Sequence, residues 1–332
     1  MRVLPAAIAC ALAAGLALCP DRTAGAGGGG SPPARRSAGR QMAVTFDDLP
    51  GVVAPGEGLR ELRALTERLV SRIAAERIPA IGFVNEGKLA PDGSPVSARR
   101  ELLSRWVEAG LELGNHTYSH LDLHRASLEE FEADLLRGQE ATRALLAKSG
   151  GRPRFLRHPL LHTGRSLETK HALEEFLSAH GYRVAPVTID NSEWIFARAY
   201  ALARARSDGA LARRVAAAYG PYMEAKTAYY ERQSLALFSR EIPQVLLLHA
   251  NMLNADRFSD LVRRLRGRGY AFVTLERALE DSAYRSPDSF TGPAGISWLH
   301  RWALTSGGTT AVLPGEPRCP HFVQEAAGIS EQ

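Results

Sequence analysis

The feature that most constrains the fold is a regular alternation of short apolar runs with amphipathic stretches of helical period. The strand-like runs lie at 42–47, 79–84, 111–115, 154–158, 182–189, 244–249 and 270–274. The helical stretches lie near 58–77, 96–109, 127–148, 166–180 and 256–267. Strands that alternate with helices pair in parallel through right-handed crossovers. The sequence therefore predicts an α/β fold, a distorted (β/α)7-type barrel. An open dinucleotide-binding sheet is disfavoured, because no Gly-rich phosphate loop follows the first strand.

Two regions interrupt this alternation. Residues 195–240 are rich in Ala, Arg and Tyr and have the pattern of two helices, which predicts a helical insertion beside the barrel. From 283 onward the chain is rich in Pro and Gly, with one aromatic and basic patch at 297–302 that we expect to pack over the barrel rim. We therefore predict a barrel domain over 41–282 and a C-terminal extension over 283–332.

The first residues are typical of an export signal. An apolar, Ala-rich run over 3–18 follows a short positive start, and an A-x-A sequence at 24–26 offers a cleavage site. We predict a signal peptide over 1–26, a flexible linker over 27–40 and a periplasmic or secreted protein. Lipid attachment at Cys19 is the less favoured alternative, because a large residue precedes it. The apolar run is too short for a membrane helix, so we predict no integral span in the mature chain.

Cysteine content and charge exclude several classes of protein. Removal of 1–26 would leave Cys319 as the one cysteine, so we predict no internal disulfide. The 41 Lys and Arg outnumber the 36 Asp and Glu, a net charge of +5, but they are spread along helices such as 60–77. Because no basic arm, zinc finger or RNA-binding motif occurs, we expect no nucleic-acid partner. The oligomeric state stays undetermined.

Side chains able to do chemistry follow five of the predicted strands. These strand ends carry Asp47-Asp48, the run from His116 to His120, Arg157, the run from Asp190 to Trp194, and His249. In a barrel of β/α units all these ends face one side, where such folds build their active sites. The sequence therefore predicts one cleft that gathers carboxylates, imidazoles and a guanidinium.

The spacing of two histidines indicates a metal. His116 and His120 are four residues apart, so one helical turn would place both imidazoles on one face. Two imidazole nitrogens and one carboxylate of the Asp47-Asp48 pair make a three-ligand site with positions open for water. The other Asp of the pair could take a proton from that water, and His249 could protonate a leaving group. This pattern predicts metal-assisted hydrolysis.

The ordered set TFDD, HTYSH, RHP, DNSEW and LLLH resembles the five motifs of the polysaccharide deacetylases, the NodB-homology group or carbohydrate esterase family 4. The motifs run in the family's order from Thr45 to His249, and the resemblance reaches the strand near 274. The resemblance implies a distorted, usually incomplete β/α barrel, which agrees with the strands identified above. It also implies that the substrate is an acetylated glycan.

The resemblance implies roles for particular side chains. For catalysis, Asp47 would be the base, Arg157 would position that base, and His249 would be the general acid. The metal ligands would be Asp48, His116 and His120. Those for substrate are a groove wall for Trp194, a backbone N–H near Leu160 for the oxyanion, an acetyl-methyl pocket including Leu247, and a tether for the Arg from Glu193 or Asp190. The implied metal is divalent, with zinc preferred and cobalt, nickel or manganese as alternatives.

The chain departs from the family pattern at a few positions. Leu49-Pro50-Gly51 follows the Asp pair where the family has an earlier Gly, Leu160 replaces an aromatic residue, and Glu193 stands where Asp is common. Ala250-Asn251, rather than an acidic residue, follows the last motif. None of these changes removes a ligand, the base or the acid, so they bear on which substrate is used. His158 is also expected near the cleft, as is His162.

These patterns predict a metal-dependent hydrolase that removes acetyl groups from an N- or O-acetylated polysaccharide or oligosaccharide. Two alternatives stay open. The same site could hydrolyse a C–N bond that is neither glycan nor peptide, or the chain could be a lapsed relative that binds sugar without turnover. The identity of the polymer, the N- or O-acetyl preference and the native metal do not follow from the sequence.

Overall fold

The strands form one parallel sheet. The structure, a computed structural model, describes residues 39–90, 96–307 and 314–329. The strands in these ranges are β1 (Gln41–Val52), β2 (Ile81–Val84), β3 (Glu112–Asn115), β4 (Phe155–Leu156), β5 (Arg183–Val184), β6 (Gln244–Asn251) and β7 (Ala271–Phe272). Every pairing between them is parallel. Each strand overlaps one of the predicted apolar runs.

The sheet curls into an incomplete barrel. The strand order is β5-β4-β3-β2-β1-β6, and β7 pairs with the start of β1. A single parallel bridge between Ile189 and Leu246 brings the chain that follows β5 to the far side of β6. The ring of strands is therefore closed at this point by one bridge instead of a full ladder. The predicted distorted barrel is confirmed.

Residues 42–46 of the first strand are apolar apart from one threonine, because both faces of the strand are buried there. Met42, Val44 and Phe46 pack into the main core, whereas the intervening Ala43 packs into a second cluster on the opposite face. Strands buried on both faces lose the alternation of polar and apolar residues that a half-exposed strand shows. The polar exception is Thr45, whose buried hydroxyl donates to the carbonyl of Leu246 over 2.8 Å.

Helices cover the outside of the barrel. They are α1 (Leu59–Ala75), α2 (Val96–Glu108), α3 (Leu128–Arg137), α4 (Glu140–Leu146), α5 (Leu167–Ala179), α6 (Glu193–Ala205), α7 (Gly209–Phe238), α8 (Met252–Gly267), α9 (Leu275–Ala278), α10 (Trp298–Thr305) and α11 (His321–Ala327). Helix α1 packs against α2 and α8, and α7 also contacts α8. These contacts bury the apolar side of each amphipathic helix against the sheet or a neighbouring helix.

The stretch predicted as one helix over 127–148 is two helices, α3 and α4. The break falls at Gly138, where an added Cβ would lie 2.5 Å from the backbone nitrogen of Tyr118. The Tyr118 N–H donates to the carbonyl of Asp134 in the last turn of α3, over 3.1 Å. The loop that follows β3 therefore packs directly against the end of α3, and only a residue without a side chain leaves room for it.

The predicted insertion near 195–240 is present as helices α6 and α7. The C-terminal extension packs onto it, with α10 against α7 and α11 against α6. The patch at 297–302 is buried along its whole length, as expected for packing over the rim. Its first residues bond to the chain before the fourth motif, because Ser297 Oγ donates to the carbonyl of Thr188 and the Trp298 N–H to that of Val187, each over 2.7 Å.

Two predictions concern export of the chain and membrane-spanning helices. The predicted signal peptide over 1–26 and nearly all of the predicted linker over 27–40 lie outside the described residues. Among the helices of the described ranges, none combines the length and the apolar composition that a membrane crossing needs.

The capping box at the start of α3 provides a test of the fold. Ser127 Oγ accepts the Glu130 N–H over 3.2 Å, and Glu130 Oε2 accepts the Ser127 N–H over 2.8 Å. We expect Ser127→Ala to lower the free energy of unfolding by about 0.5–2 kcal/mol, because one N–H of the first turn loses its acceptor. Urea denaturation measures this difference. Ser104→Ala, inside α2, is the matched control, and an equal loss in both variants would contradict the capping assignment.

Candidate active site

The strand ends meet at one large cavity. Its volume is about 1500 Å³. The predicted site residues that line it are Asp47, Asp48, His116, His120, Leu160, Asp190, Trp194, Leu247 and His249. Two further predicted residues, Arg157 and Glu193, are buried behind this wall with 0% and 1% exposure. The structure therefore brings the predicted site residues together, some as its surface and some as its support.

Asp48, His116 and His120 form a compact donor cluster. The Nε2 atoms of His116 and His120 lie 4.0 and 3.9 Å from Asp48 Oδ1, and one ligand atom from each residue lies within 4.8 Å of the others. His116 Nδ1 bonds the carbonyl of Arg157 over 2.8 Å, which leaves Nε2 directed at the cluster. Two imidazoles and a carboxylate, with one ring oriented by a backbone carbonyl, fit a divalent metal such as zinc.

The prediction that one helical turn joins the two histidines is wrong. Residues 116–120 form a loop in which Thr117 and His120 have left-handed φ angles of 61° and 60°. Asn115 shapes this loop, because its side chain accepts the Thr117 N–H over 2.7 Å and donates to the carbonyl of Leu135 over 2.9 Å. The rings still meet, with centroids 4.8 Å apart and planes at 82°.

Burial and neighbouring charges prepare the donor cluster for a cation. Burial lowers the pKa of His116 and that of His120, so both rings are neutral and able to ligate at neutral pH. Burial alone would raise the pKa of Asp48, but the Lys88 ammonium 2.8 Å away, together with nearby imidazoles, lowers it well below its usual range. Lys88 was missed by the sequence reasoning, which assigned no polar residue to the end of β2.

The two carboxylate oxygens of Asp47 have different neighbours. Its Oδ2 lies 3.7 Å from both Arg157 Nη1 and His116 Nε2. Its Oδ1 is buried and has no hydrogen-bond partner among the described residues. Burial raises the pKa of Asp47 to about 6, against the opposing effect of the Arg157 and His249 charges. Asp47 therefore stays mostly ionised at neutral pH and presents a free acceptor.

Arg157 is held without contact to solvent. Its Nη2 donates to Thr45 Oγ1 over 3.0 Å, and its guanidinium lies 4.8 Å above the ring of Phe83. The predicted tether from Glu193 is wrong, because Glu193 bonds elsewhere, as described next. The other predicted tether, Asp190, faces Arg157 as a charge that favours the ionised guanidinium. Partial burial of Asp190 raises the pKa of its carboxyl to about 6, and the charge of Lys226 opposes that rise.

Glu193 supports His249 instead. His249 Nδ1 lies 2.8 Å from Glu193 Oε2, while Glu193 Oε1 accepts the side-chain amides of Asn251 and Asn254. Burial disfavours the charged imidazolium, but the hydrogen bond and charge of Glu193 outweigh it and raise the pKa of His249 to about 9. His249 is therefore protonated at neutral pH, so its other ring nitrogen, Nε2, also carries a proton.

Apolar side chains form the mouth of the cavity. Trp194 and Leu160 are 47% and 52% exposed, whereas Leu247 is buried beside the catalytic groups. Leu160 and Leu161 are consecutive residues with left-handed φ angles of 57° and 56°, an arrangement that costs conformational energy for L residues. An exposed tryptophan at the rim of a polar cavity offers a flat apolar surface for a ring-shaped ligand.

Two other histidines line the cavity, as expected, without joining the donor cluster. His162 Nδ1 lies 2.7 Å from Asp122 Oδ1, and its ring stacks on His124 with centroids 3.8 Å apart and planes at 7°. His158 is buried. The lone pairs of imidazole lie in the ring plane, and parallel planes share no point. The stacked pair therefore does not converge on one metal ion, and we assign no metal there.

A curled parallel barrel with an Asp-His-His donor set at its strand ends defines a β/α-barrel protein with a candidate metal-binding site. Residues 34–184, somewhat less than half of the chain, match the sequence model described as polysaccharide deacetylase. This match places residues 34–184 in the polysaccharide deacetylase family, carbohydrate esterase family 4, whose members are typically metal-dependent.

Individual relatives are distant. A chitooligosaccharide deacetylase from Bradyrhizobium sp. is 29% identical over 120 residues, which are 36% of this chain and 46% of that protein. The chain thus matches about half the length of this curated relative. A family 4 carbohydrate esterase from Streptomyces lividans, solved in complex with acetate, is 18% identical over 73% of this chain and 96% of that chain, with a TM-score of 0.45.

Another solved relative is a CE4 family pseudoenzyme from Bacillus anthracis. It is 14% identical over 74% of this chain and 66% of that chain, with a TM-score of 0.48.

The buried His158 provides a test by acid denaturation. Burial, followed by the charges of Arg301, Lys170 and Arg157, lowers the pKa of His158 to about 3. Between these pH values His158 is protonated in the unfolded state but neutral in the folded state. The free energy of unfolding therefore falls as the pH drops from about 6.5 toward about 3, by at most roughly 1.4 kcal/mol per pH unit.

We expect His158→Gln to be less acid-sensitive than the parent over that interval, measured as the free energy of unfolding against pH. His171→Gln, at an exposed position of α5, is the control. Parallel stability curves for the parent and His158→Gln would contradict this account.

Proposed function

We propose that the chain is a metal-dependent deacetylase that releases acetate from an N- or O-acetylated polysaccharide or oligosaccharide. One observation carries the proposal: Asp47, whose Oδ1 has no hydrogen-bond partner among the described residues, and His249 line the same cavity as the Asp-His-His donor cluster. This arrangement supports an attacking water on one side of an acetyl carbon and a proton donor on the other. Family membership supports the same reaction class.

We propose that Asp48, His116 and His120 hold a divalent cation, with zinc preferred and cobalt, nickel or manganese as alternatives. Such an ion, when bound, supplies a Lewis acid for the acetyl carbonyl and lowers the pKa of a water molecule. The donor types support this assignment, because neutral imidazoles with one carboxylate suit zinc and its neighbours better than magnesium or calcium.

Asp47 would act as the general base. Its ionised carboxylate has a free Oδ1 to take a proton from the attacking water, while Arg157 holds Oδ2. Arg157 contacts no solvent and donates to Thr45, so it would act by positioning Asp47 and not by touching substrate.

His249 would act as the general acid. The Glu193 carboxylate, bonded to Nδ1, stabilises the protonated ring of His249. That ring would then protonate the sugar nitrogen or oxygen as the bond to the acetyl carbon breaks. The tetrahedral oxyanion would accept a backbone N–H of the Leu160 loop. Leu247 would contact the acetyl methyl group, and Trp194 would form a wall for the sugar ring. We further propose that the protein acts in the periplasm or outside the cell, on the basis of the predicted signal peptide.

The reaction is tested by acetate release from purified protein. The substrates are acetylated chito-oligosaccharides, peptidoglycan and acetylxylan, each with chelator and with added zinc. Release that chelator abolishes and zinc restores is the expected result. Release only from small amides would support the alternative of a non-glycan C–N hydrolase. Stoichiometric zinc binding with no release from any substrate would support a lapsed relative.

Substitution of the two neighbouring aspartates separates their roles. We expect Asp47→Asn to keep zinc and lose turnover by about 10²-fold or more, because the proton acceptor is removed while the ligands remain. Asp48→Asn should lose zinc as well as activity. Metal content by atomic emission and acetate release measure both effects. A near-normal rate for Asp47→Asn would refute its assignment as the base.

The pairing of Glu193 with His249 predicts a shift in pH dependence. Without the carboxylate, the pKa of His249 should fall, so Glu193→Gln should lose activity with rising pH at a lower pH than the parent. Its kcat should also decrease by about tenfold or more. Glu174→Gln, on the exposed side of α5, serves as control. An unshifted alkaline limb would show that Glu193 does not control the proton of His249.

A further inference from the structure

The chain over 159–163, which we call the 159–163 loop, holds an unfavourable backbone conformation beside the cavity. Leu160 and Leu161 are consecutive residues with left-handed φ angles of 57° and 56°. Such conformations cost energy in residues that have a Cβ, and they persist only where the surrounding structure holds them. Contacts from elsewhere in the chain must therefore stabilise the loop whose backbone is proposed above to bind the oxyanion.

Arg301 of the C-terminal extension bonds directly to this loop. It lies on α10 and is 1% exposed. Its Nη1 donates to the carbonyl of Leu161 over 3.2 Å, and its Nη2 donates to Thr163 Oγ1. Its Nε donates to Asp288 Oδ2 over 2.9 Å, so a carboxylate of the extension balances its charge. Because the guanidinium is a rigid planar fork, these bonds hold two points of the loop in one orientation.

Rigid peptide planes extend this contact to the N–H of Leu160. A peptide unit is planar, so a contact that holds its carbonyl also fixes the N–H of the next residue. The bond from Arg301 fixes the Leu161 carbonyl and, with it, the N–H of His162. That N–H donates to the carbonyl of Pro159 over 3.1 Å, and the Pro159 carbonyl lies in one plane with the N–H of Leu160. Two peptide planes therefore connect the guanidinium to the Leu160 N–H.

The N–H of Leu160 is the donor that the loop leaves available. The Leu161 N–H donates to the carbonyl of His158 over 3.1 Å, and the His162 N–H is used within the loop. No hydrogen bond joins the Leu160 N–H to another residue of the described ranges. Leu160 lines the same cavity as Asp47. These observations favour the Leu160 N–H, over those of its neighbours, as the proposed oxyanion donor.

A second residue of the extension limits the position of the loop. Gly295 passes so close to Leu160 that an added Cβ would lie 1.8 Å from the Leu160 carbonyl oxygen. That carbonyl belongs to the same peptide plane as the Leu161 N–H, which is held by its bond to the His158 carbonyl. The backbone of the extension and the guanidinium of Arg301 therefore both contact the two left-handed residues.

Attachment of the extension does not by itself explain Arg301. A buried ion pair loses its hydration, and apolar side chains often hold two elements together at least as well. The extension has such contacts, because Trp302 packs edge-on against Phe238 with ring centroids 5.7 Å apart. Two of the three guanidinium nitrogens of Arg301 bond to the 159–163 loop. The position of that loop is therefore what Arg301 determines.

Resting on the deacetylase function proposed above, we propose that Arg301 is a positioning residue for the reaction. It holds the 159–163 loop so that the Leu160 N–H is fixed in advance for the developing oxyanion, and Gly295 leaves the room that the Leu160 carbonyl then needs. A donor that is fixed in advance stabilises the developing charge without reorganisation during the reaction. Both residues lie beyond residues 34–184, so the C-terminal extension would serve catalysis and not only packing.

The first test is the kinetics of Arg301→Met in the full chain loaded with zinc, on the fastest of the acetylated substrates named above. We expect kcat to fall about tenfold or more with KM changed less than about twofold, because the lost interaction acts in the transition state. Asp288 keeps Lys170 as a partner over 3.1 Å, so the variant leaves no unpaired carboxylate. Trp302→Leu, on the same helix, is the control for loosened packing of the extension. An equal loss of kcat in that control would overturn the proposal.

A second variant, Gly295→Ala, tests the loop without altering the core. Gly295 is partly exposed and its φ lies outside the left-handed region, so alanine fits its backbone, but the added methyl group must displace the Leu160 carbonyl. We again expect kcat to fall about tenfold or more at little-changed KM. Gly267→Ala, whose added Cβ meets nothing within 4 Å, is the control. A normal kcat in Arg301→Met, or in Gly295→Ala if Arg301→Met does not fold, would overturn the proposal.

Amide hydrogen exchange separates failure of this proposal from failure of the reaction. Measured by mass spectrometry, the peptide covering 158–163 should exchange about tenfold faster or more in Arg301→Met than in the parent and in Trp302→Leu, because its loop bonds open more often. Faster exchange with a normal kcat would overturn the role of Arg301 in the reaction. If the parent releases no acetate, the proposed function has failed, and exchange decides alone: faster exchange supports the hold of Arg301 on the loop, and unchanged exchange overturns it.

Discussion

The buried Arg157 is the residue on which the rest of the site depends. Its guanidinium lies beside Asp47, and its backbone carbonyl orients the ring of His116. One residue at the end of β4 therefore positions both the proposed base and a proposed metal ligand. A guanidinium without solvent is tolerated only when its charge is balanced, and Asp47 and Asp190 supply that balance. Removal of both carboxylates would leave the guanidinium charge buried with neither an opposite charge nor water beside it.

Strain is concentrated where the proposed chemistry occurs. Among non-glycine residues of the described ranges, eight have positive φ, and the site contains Asp48, Thr117, His120, Leu160 and Leu161. Each such conformation costs roughly 1–3 kcal/mol in unfavourable cases. The surrounding barrel offsets this cost through a core buried on both faces of its sheet. Rigid strands thus hold strained loops in one geometry, which a catalytic or metal-binding arrangement requires.

The insertion and the extension decide the shape of the cavity around this shared centre. Strand ends alone would leave the side facing Asp190 open, whereas α7, α10 and the segment carrying Glu316 cover it with polar groups. The extension also packs against Leu160, at the proposed oxyanion loop. Part of the cavity wall is therefore built by residues far from the family motifs in the sequence.

The order of strands and helices, and the identity of the donor cluster, could be predicted from the sequence. Apolar runs buried on both faces have a local signature, and the parallel barrel gathers its strand ends whatever the details of the loops. Hydrogen bonds between side chains far apart in the sequence were harder to predict from the sequence. The helical turn expected around His116 is a loop held by Asn115, and Glu193 bonds His249 instead of Arg157.

By itself, then, the sequence determined the barrel and the residue types at its strand ends, because both depend on local pattern. The tertiary structure alone decided which carboxylate serves which partner and how Lys226 meets Glu316. Those contacts join residues far apart in the chain, and their distances follow from packing that no local pattern encodes.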